Sequence, residues 1–419
     1  MKTILLVEDT KVLLMIIKKK LTSRGYHVIT ALNGNEALLK LQAHPNIQMV
    51  LSDWIMPECD GIELCQQLKS PHYARYIFFV LLSARDDQDS IIEGINAGAD
   101  DFIAKDTNID ELDARLQAGF RTLALNNELV KKNAELDSAY ATIKQDLAAA
   151  GEFIKRLLPN DPHFARAELN YVSIPSAQIG GDMLGCMQLD ENNVGIYLFD
   201  VAGHGVSSAL MSFSVQQSIS VSADSSSLVR QKTDKAPYYK ITSPCQVIQQ
   251  LNELYLSQEG SDLYFTMVYA ILNTQTGMLS YAFAGHPPLV WMQNSKDKAV
   301  FVEQDSYVVG VFDFAEYTTR TIELAAGDKI WLYSDGITEA EKDSHQFSEA
   351  RLKELIFDIR EQPTSIQANT VINEVRSWQG KEQFDDDVSV LVFEWKGYPE
   401  GDEQCNTSSL KKTNTQYFK

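Results

Sequence analysis

Five short apolar runs, each followed by an amphipathic stretch, fill the first 120 residues and leave few folds open. Residues 4–7, 27–31, 49–51, 78–82 and 102–104 have the length and composition of strands. Residues 12–24, 34–43, 61–69, 90–97 and 109–116 carry helical spacing. This alternation predicts a doubly wound parallel sheet of the flavodoxin-like α/β type. In such sheets ligands gather at the carboxyl ends of strands. Asp9, Asp53, Ser83 and Lys105 all fall at such ends.

From about residue 121 to 158 there is no proline, and Gly151 is the one glycine. Leu129, Asn133, Leu136, Tyr140, Ile143, Leu147, Ala150, Ile154 and Leu157 recur at alternating spacings of four and three. That is a heptad seam, with Asn133 as a polar member able to set register, and it predicts a coiled-coil linker and a homodimer. Pro159 ends the helix.

Beyond it the chain turns strand-rich: 194–199, 266–272, 279–283, 329–333 and 388–395, with helices at 207–222, 244–256, 348–357 and 365–378. Antiparallel strands with interspersed helices predict an α+β sandwich flanked by helices. Residues 223–240 read as a mobile loop, and the polar residues 397–419 as a disordered tail. The domains expected are 1–120, 121–158 as linker, 159–396 and the tail.

Charge narrows the function. With 37 Lys+Arg against 57 Asp+Glu, the net charge of -20 argues against a basic nucleic-acid-binding surface and against anionic membranes. Cys59, Cys65, Cys186, Cys245 and Cys405 are scattered without zinc-like or thioredoxin-like spacing, which suits reduced thiols. The N-terminus turns acidic at Glu8, too early for a signal peptide. The longest apolar runs have strand length and cannot span a bilayer. A cytoplasmic protein is expected.

The acidic residues carry the chemistry. Glu8, Asp9 and Asp53 could share one Mg2+, which prefers few carboxylates and keeps several waters. Asp53 could then attack a phosphoryl donor and carry an acyl phosphate. Ser83 could hydrogen-bond that phosphate, and Lys105 could supply a point charge. Further on, Gly180-Gly181-Asp182, Asp200-Val201-Ala202-Gly203-His204-Gly205, Ser334-Asp335-Gly336 and Asp385-Asp386-Asp387 pair aspartates with glycine or with each other beside apolar runs. Carboxylates meeting from distant strands can hold two Mg2+ or Mn2+ ions and acidify a water for in-line attack on phosphorus. Singly, Asp-Gly pairs mark turns, and Asp328 in Ala326-Gly327-Asp328 is read that way. No Gly-x-Ser-x-Gly elbow, Walker loop or arginine-rich cysteine loop offers a competing chemistry.

Residues 1–120 resemble the receiver domain of bacterial response regulators. Leu6-Val7-Glu8-Asp9, Asp53-Trp54-Ile55-Met56-Pro57 with Asp60-Gly61, Ser83-Ala84 and Lys105 carry the likeness. The resemblance implies that Asp53 accepts phosphate from a histidine kinase. It assigns Glu8, Asp9, Asp53 and Ile55 to a receiver Mg2+, and Ser83, Lys105 and Phe102 to the switch. Asp106 stands where the family places a proline.

The four later segments, with Leu157-Leu158-Pro159, Phe265-Thr266, Ala284-Gly285-His286-Pro287-Pro288 and Tyr333 through Ala340, resemble the PPM-type serine/threonine phosphatases, SpoIIE-like branch. By that resemblance Asp200 bridges two Mn2+ or Mg2+ ions, Val201 contributes its carbonyl, Asp335 and Asp386 are direct ligands, and Asp182 acts through a water. Gly185 replaces a second aspartate found in many relatives. His204 is a weaker candidate for a general acid, and His286 reads as structural. The resemblance implies a response regulator whose output is phosphoserine or phosphothreonine hydrolysis, with a phosphorylated STAS-type anti-sigma-factor antagonist as substrate.

Overall fold

The computed structural model describes residues 2–71, 73, 75–83, 88–159, 164, 166–203, 205–221, 227–234, 238–256 and 263–397. His204, much of the expected loop at 223–240 and the tail from 398 lie outside them. The chain divides into two compact units, Met1–Ala141 and Thr142–Lys419.

The first unit runs β1 (Thr3–Val7), α1 (Lys11–Ser23), β2 (His27–Ala31), α2 (Gly34–Ala43), β3 (Met49–Asp53), α3 (Gly61–Lys69), β4 (Phe78–Ser83), α4 (Gln88–Asn96), β5 (Asp101–Ala104) and α5 (Ile109–Lys155). The five strands form a parallel sheet in the order β2-β1-β3-β4-β5. β1, β3 and β4 are buried along their whole length because both faces are covered. Ile4, Leu6, Met49 and Leu51 enter one core with Leu21 and Leu116. Leu5, Val7 and Val50 enter the other with Ala37 and Leu64. Asn33 and Asp60 cap α2 and α3 through their side chains. A Cβ at Gly61 would stand 2.2 Å from the Asp53 carbonyl oxygen, so only glycine lets α3 begin against the end of β3.

α5 is one helix of 47 residues where the sequence suggested a short receiver helix and a separate linker. Leu112, Leu116 and Leu123 bury into the core of the first unit. Leu129, Leu136, Tyr140 and Ile143 of the heptad seam are exposed. Ile154, with Leu157 and Leu158 just beyond, packs against the core of the second unit. Among the described residues, no helix is long and apolar enough to cross a membrane.

The second unit contains β6 (Ala167–Ile174), β7 (Met183–Gln188), β8 (Asn193–Val201), α6 (Val206–Ile219), β9 (Arg230–Lys232), β10 (Tyr239–Ile241), α7 (Pro244–Leu256), β11 (Phe265–Asn273), β12 (Met278–Ala284), β13 (Leu289–Gln293), β14 (Lys298–Val302), β15 (Arg320–Glu323), β16 (Lys329–Tyr333), α8 (Asp335–Thr338), β17 (Glu341–Lys342), β18 (His345–Gln346), α9 (Glu349–Asp358), α10 (Thr364–Gln379) and β19 (Val388–Trp395). Two antiparallel five-stranded sheets, β15-β12-β11-β8-β7 and β14-β13-β16-β19-β6, form a sandwich. Side-chain alternation builds its layers. Ile196, Leu198, Val268 and Ala270 meet Leu332, Leu391 and Phe393 between the sheets. Tyr197, Phe199 and Tyr269 face outward onto residues of α6 and α7. Val390 and Val392 face residues of α9 and α10.

The segment read as a mobile loop holds the small hairpin β9–β10. Its strands are too short for periodicity to reveal. Arg230 stacks on Tyr239 at 4.5 Å and bonds the Leu189 carbonyl, which pins the hairpin to the sandwich.

Candidate functional site

Two carboxylate clusters stand at strand ends, one in each unit. In the first, Glu8 follows β1 and Asp53 ends β3, the neighbouring strands at which the order of the parallel sheet reverses. Glu8 is fully buried, Asp53 nearly so, and Asp9 is exposed. One ligand atom from each lies within 4.8 Å of the other two, the only such acidic, histidine or cysteine group among the described residues. Lys105 Nζ lies 2.6 Å from Asp53 Oδ2 and 3.1 Å from Glu8 Oε2. Burial and the Asp53 charge raise the Glu8 pKa, opposed by Lys105. Burial pulls Lys105 down, but hydrogen bonds to Asp53 and Glu8 outweigh it and raise its pKa.

Ser83 is buried at the end of β4, and Phe102 meets Trp54 edge-on at 6.1 Å. Ile55 is exposed beside Asp53. Asp106 takes an exposed turn closed by Thr107 N donating to the Ala104 carbonyl at 3.1 Å. Lys105 N donates to the Ser83 carbonyl at 2.8 Å, so the lysine stays tied to β4 without a following proline.

In the second unit, β7 and β8 pair at Met183–Phe199, which brings Asp182 and Asp200 to the same end of that sheet. Asp335 begins α8 directly after β16, and Asp386 precedes β19. These last two strands are neighbours. Ser334 N donates to the Ser389 carbonyl and Ser389 N to Ser334 Oγ, both at 2.9 Å. A Cβ at Gly336 would stand 2.1 Å from the Asp387 carbonyl oxygen. Close backbone approach therefore joins the turn that carries Asp335 to the one that carries Asp386.

The carboxylates feel one another. Asp200 is pushed up to about 7 by burial and then by the charges of Asp335, Asp386 and Asp387. Burial, Asp200 and Asp387 hold Asp182 well above the usual range, against the nearby Ser334 and Ser389 hydroxyls. Asp335 is raised by burial and by Asp386. Neither oxygen of the buried Asp182 has a donor at hydrogen-bonding geometry. Mutually repelling carboxylates, one of them with both oxygens unpartnered, are a donor set suited to hard divalent cations, whose charge reverses the local pKa logic.

Val201 is buried, and its carbonyl faces Gly181, where a Cβ would stand 2.7 Å from that oxygen. His286 is buried with Nδ1 2.9 Å from Thr266 Oγ1, and Thr266 pairs with Asp200 across β11 and β8. Burial pushes its pKa down to about 3, so the ring is neutral at working pH and serves as a packed, bonded group. Asp328 accepts from Asn294 N, Trp291 Nε1 and Ala325 N, the role of a turn residue. Sequence reasoning passed over Asp387. Its signal was position: of three successive aspartates, the one that touches β19 is buried, whereas Asp385 and Asp386 are exposed.

Comparison with known proteins follows this division. The family described as "Response regulator receiver domain" matches residues 4–117, and "Stage II sporulation protein E (SpoIIE)" matches residues 190–396. The phosphoserine phosphatase RsbP of Bacillus subtilis is 26% identical over 196 residues, 47% of this chain and 46% of RsbP. The phosphate regulon transcriptional regulatory protein PhoB of Rhizobium meliloti is 34% identical over 118 residues, 28% of this chain and 52% of PhoB. The chain thus spans about half the length of these curated relatives. The SiaA-PP2C domain of Pseudomonas aeruginosa shares the fold of the second unit, with a TM-score of 0.51 and 18% identity over 61% of this chain and 98% of that domain.

Proposed function

We propose, of a chain that joins a response regulator receiver domain to a SpoIIE-type PPM phosphatase domain, that it hydrolyses phosphoserine or phosphothreonine on a regulatory protein under control of phosphorylation at Asp53. The observation that carries the reading is the convergence of Asp182, Asp200, Asp335 and Asp386, from four separate segments, on one end of the sandwich, where the two sheets are joined by the Gly181 N to Asp387 Oδ2 bond. The match to RsbP, a phosphoserine phosphatase by name, supports the same chemistry.

Asp200, Asp335, Asp386 and the Val201 carbonyl would hold a pair of Mn2+ or Mg2+ ions, with Asp182 acting through a water. Such a pair supplies a water acidified to working pH and neutralises charge that develops on the phosphoryl oxygens. The chain's own part is to present acceptor oxygens from paired strands, where sheet hydrogen bonds resist their movement. Glu8, Asp9, Asp53 and Ile55 would hold the receiver Mg2+, with Lys105 pairing the phosphorylated Asp53 and Ser83 and Phe102 responding to it.

The partners proposed are a histidine kinase as phosphodonor and a STAS-type antagonist as substrate. A second copy would join along the exposed seam of α5. The test is Mn2+-dependent hydrolysis of an aryl phosphate and a phosphoserine peptide by the full chain. Loss in Asp200→Ala and in Asp335→Ala is expected; turnover that survives both sinks the proposal.

A further inference from the structure

Asp387 is buried at the end of the sandwich that carries Asp182 and Asp200, yet its carboxylate is already occupied. One oxygen, Oδ1, accepts from Ser176 N at 2.7 Å and from Ser176 Oγ at 2.9 Å. The other, Oδ2, accepts from Gly181 N at 2.5 Å. A carboxylate offers about four acceptor positions, so three of these already serve the segment 176–181.

Two glycines make that approach possible. A Cβ at Gly180 would stand 2.4 Å from Asp387 Oδ2, and one at Gly181 would stand 2.7 Å from the Val201 carbonyl oxygen. The main chain threads between these two groups. Ser212 Oγ of α6 donates to the Gly181 carbonyl, so that residue is gripped through both its N–H and its C=O. The next residue is Asp182.

The same segment is backed by α5. A Cβ at Gly151 would lie 2.4 Å from the Gln178 carbonyl oxygen. A cavity of about 40 Å³ lies between Gly151, Ile154 and Leu158 on one side and Ile179, Asp182 and Asp387 on the other.

We propose that Asp387 is a positioning residue: it clamps the segment 176–181 so that Asp182 faces the metal edge, it does not itself bind metal, and α5 braces the same segment at Gly151. This rests on the metal-dependent reading of that edge. In Asp387→Asn the amide can still accept from Ser176, but it turns a donor toward the Gly181 N–H.

The test is calorimetric titration of Mn2+ into the full chain, in an Asp9→Asn background to silence the receiver site, together with hydrolysis against Mn2+ concentration. Groups that orient metal ligands typically contribute about 10–100-fold in metal affinity. Asp387→Asn should lose affinity on that scale while saturating Mn2+ restores kcat to within a few-fold. Gly151→Ala should weaken Mn2+ binding in the same direction with helix content unchanged by circular dichroism. Unchanged affinity in Asp387→Asn overturns the proposal, as does a kcat deficit that saturating Mn2+ leaves in place. If Asp387→Asn does not fold, Ser176→Ala and Gly151→Ala decide, and wild-type affinity in both overturns it. A parent chain that binds no Mn2+ defeats the metal-dependent reading instead.

Discussion

The Tyr197 side chain fills the space that a side chain at residue 185 would need. Gly185 and Tyr197 are directly paired across β7 and β8, and a Cβ on Gly185 would lie 2.3 Å from the Tyr197 hydroxyl oxygen and 2.4 Å from the ring carbon that bears it. Both residues are buried. The space beside residue 185 is therefore filled by an aromatic ring rather than left as a gap.

An aspartate at residue 185 should fail for steric reasons. Gly185→Asp is expected to destabilise the phosphatase domain by about 1–3 kcal/mol, the usual range for overpacking, with further cost for a buried carboxylate. Thermal unfolding checks this. Tyr197→Phe in the same background should not rescue it, because the ring carbons themselves obstruct the site, whereas Tyr197→Ala should. Equal melting temperatures for Gly185→Asp and the parent would refute the steric account.

The buried His286 predicts a particular response to acid. Its pKa is pushed down to about 3 when folded, against 6.5 for the free side chain. Between those values the unfolded chain binds a proton that the folded chain refuses, so folded stability falls as pH drops below about 6.5. The slope is about 1.4 kcal/mol per pH unit. Asp200 contributes with opposite sign, since its folded pKa is raised and its protonated form favours the folded state at lower pH. The comparison of parent with His286→Gln cancels that contribution. Their difference in melting temperature should therefore drift with acidification from pH 6.5 to 4.5, the parent losing more. A constant difference would show that His286 titrates in the folded chain.

What could be read from the sequence follows from how local each determinant is. The bounds of α2 and α3 are legible to the residue, because Asn33 and Asp60 are side-chain caps followed by glycine. β6 escapes notice because residues 167–174 are only partly buried along most of their length and lack a dense apolar run. It is a strand through its pairing with β19, which lies more than 200 residues later. The receiver trio is legible because Glu8 and Asp9 directly follow, and Asp53 ends, a strand with an obvious apolar signature. The role of Asp387 is not, since its donors Ser176 and Gly181 lie 211 and 206 residues away. The Tyr197 obstruction is equally hidden: it depends on cross-strand register, which no single strand encodes.

The exposed part of α5 should behave as a self-complementary surface. Leu129, Leu136, Tyr140 and Ile143 of α5 are 58–69% exposed. A heptad seam of this kind buries such residues against a second copy. Leu136→Glu should shift the full chain from dimer to monomer by analytical ultracentrifugation, with the melting temperature of the phosphatase domain little changed. Asn133→Leu should tighten association and loosen its register, as expected when a polar seam residue is removed. A parent chain that is monomeric at high micromolar concentration rules out the seam.

Phosphorylation at Asp53 should alter the rate of phosphatase turnover. Asp53 now shares Lys105 with Glu8, at 2.6 and 3.1 Å respectively. A phosphoryl group on Asp53 adds charge and acceptor oxygens that compete for the same ammonium. Any displacement of Lys105 also pulls on β4 through the Lys105 N to Ser83 carbonyl bond. The covalent route onward is α5, which leaves the receiver core after Leu123 and enters the phosphatase core at Ile154. Coupling free energies between sites are typically about 1–3 kcal/mol, or about 5–150-fold in an equilibrium. Treatment with a small phosphodonor and Mg2+ should therefore change the hydrolysis rate at least several-fold in the parent and leave Asp53→Asn unchanged. The sign depends on which packing of α5 the phosphorylated receiver favours. Identical rates in treated and untreated parent, with Asp53 verified as phosphorylated, would show that the helix joins the two domains without carrying a signal between them.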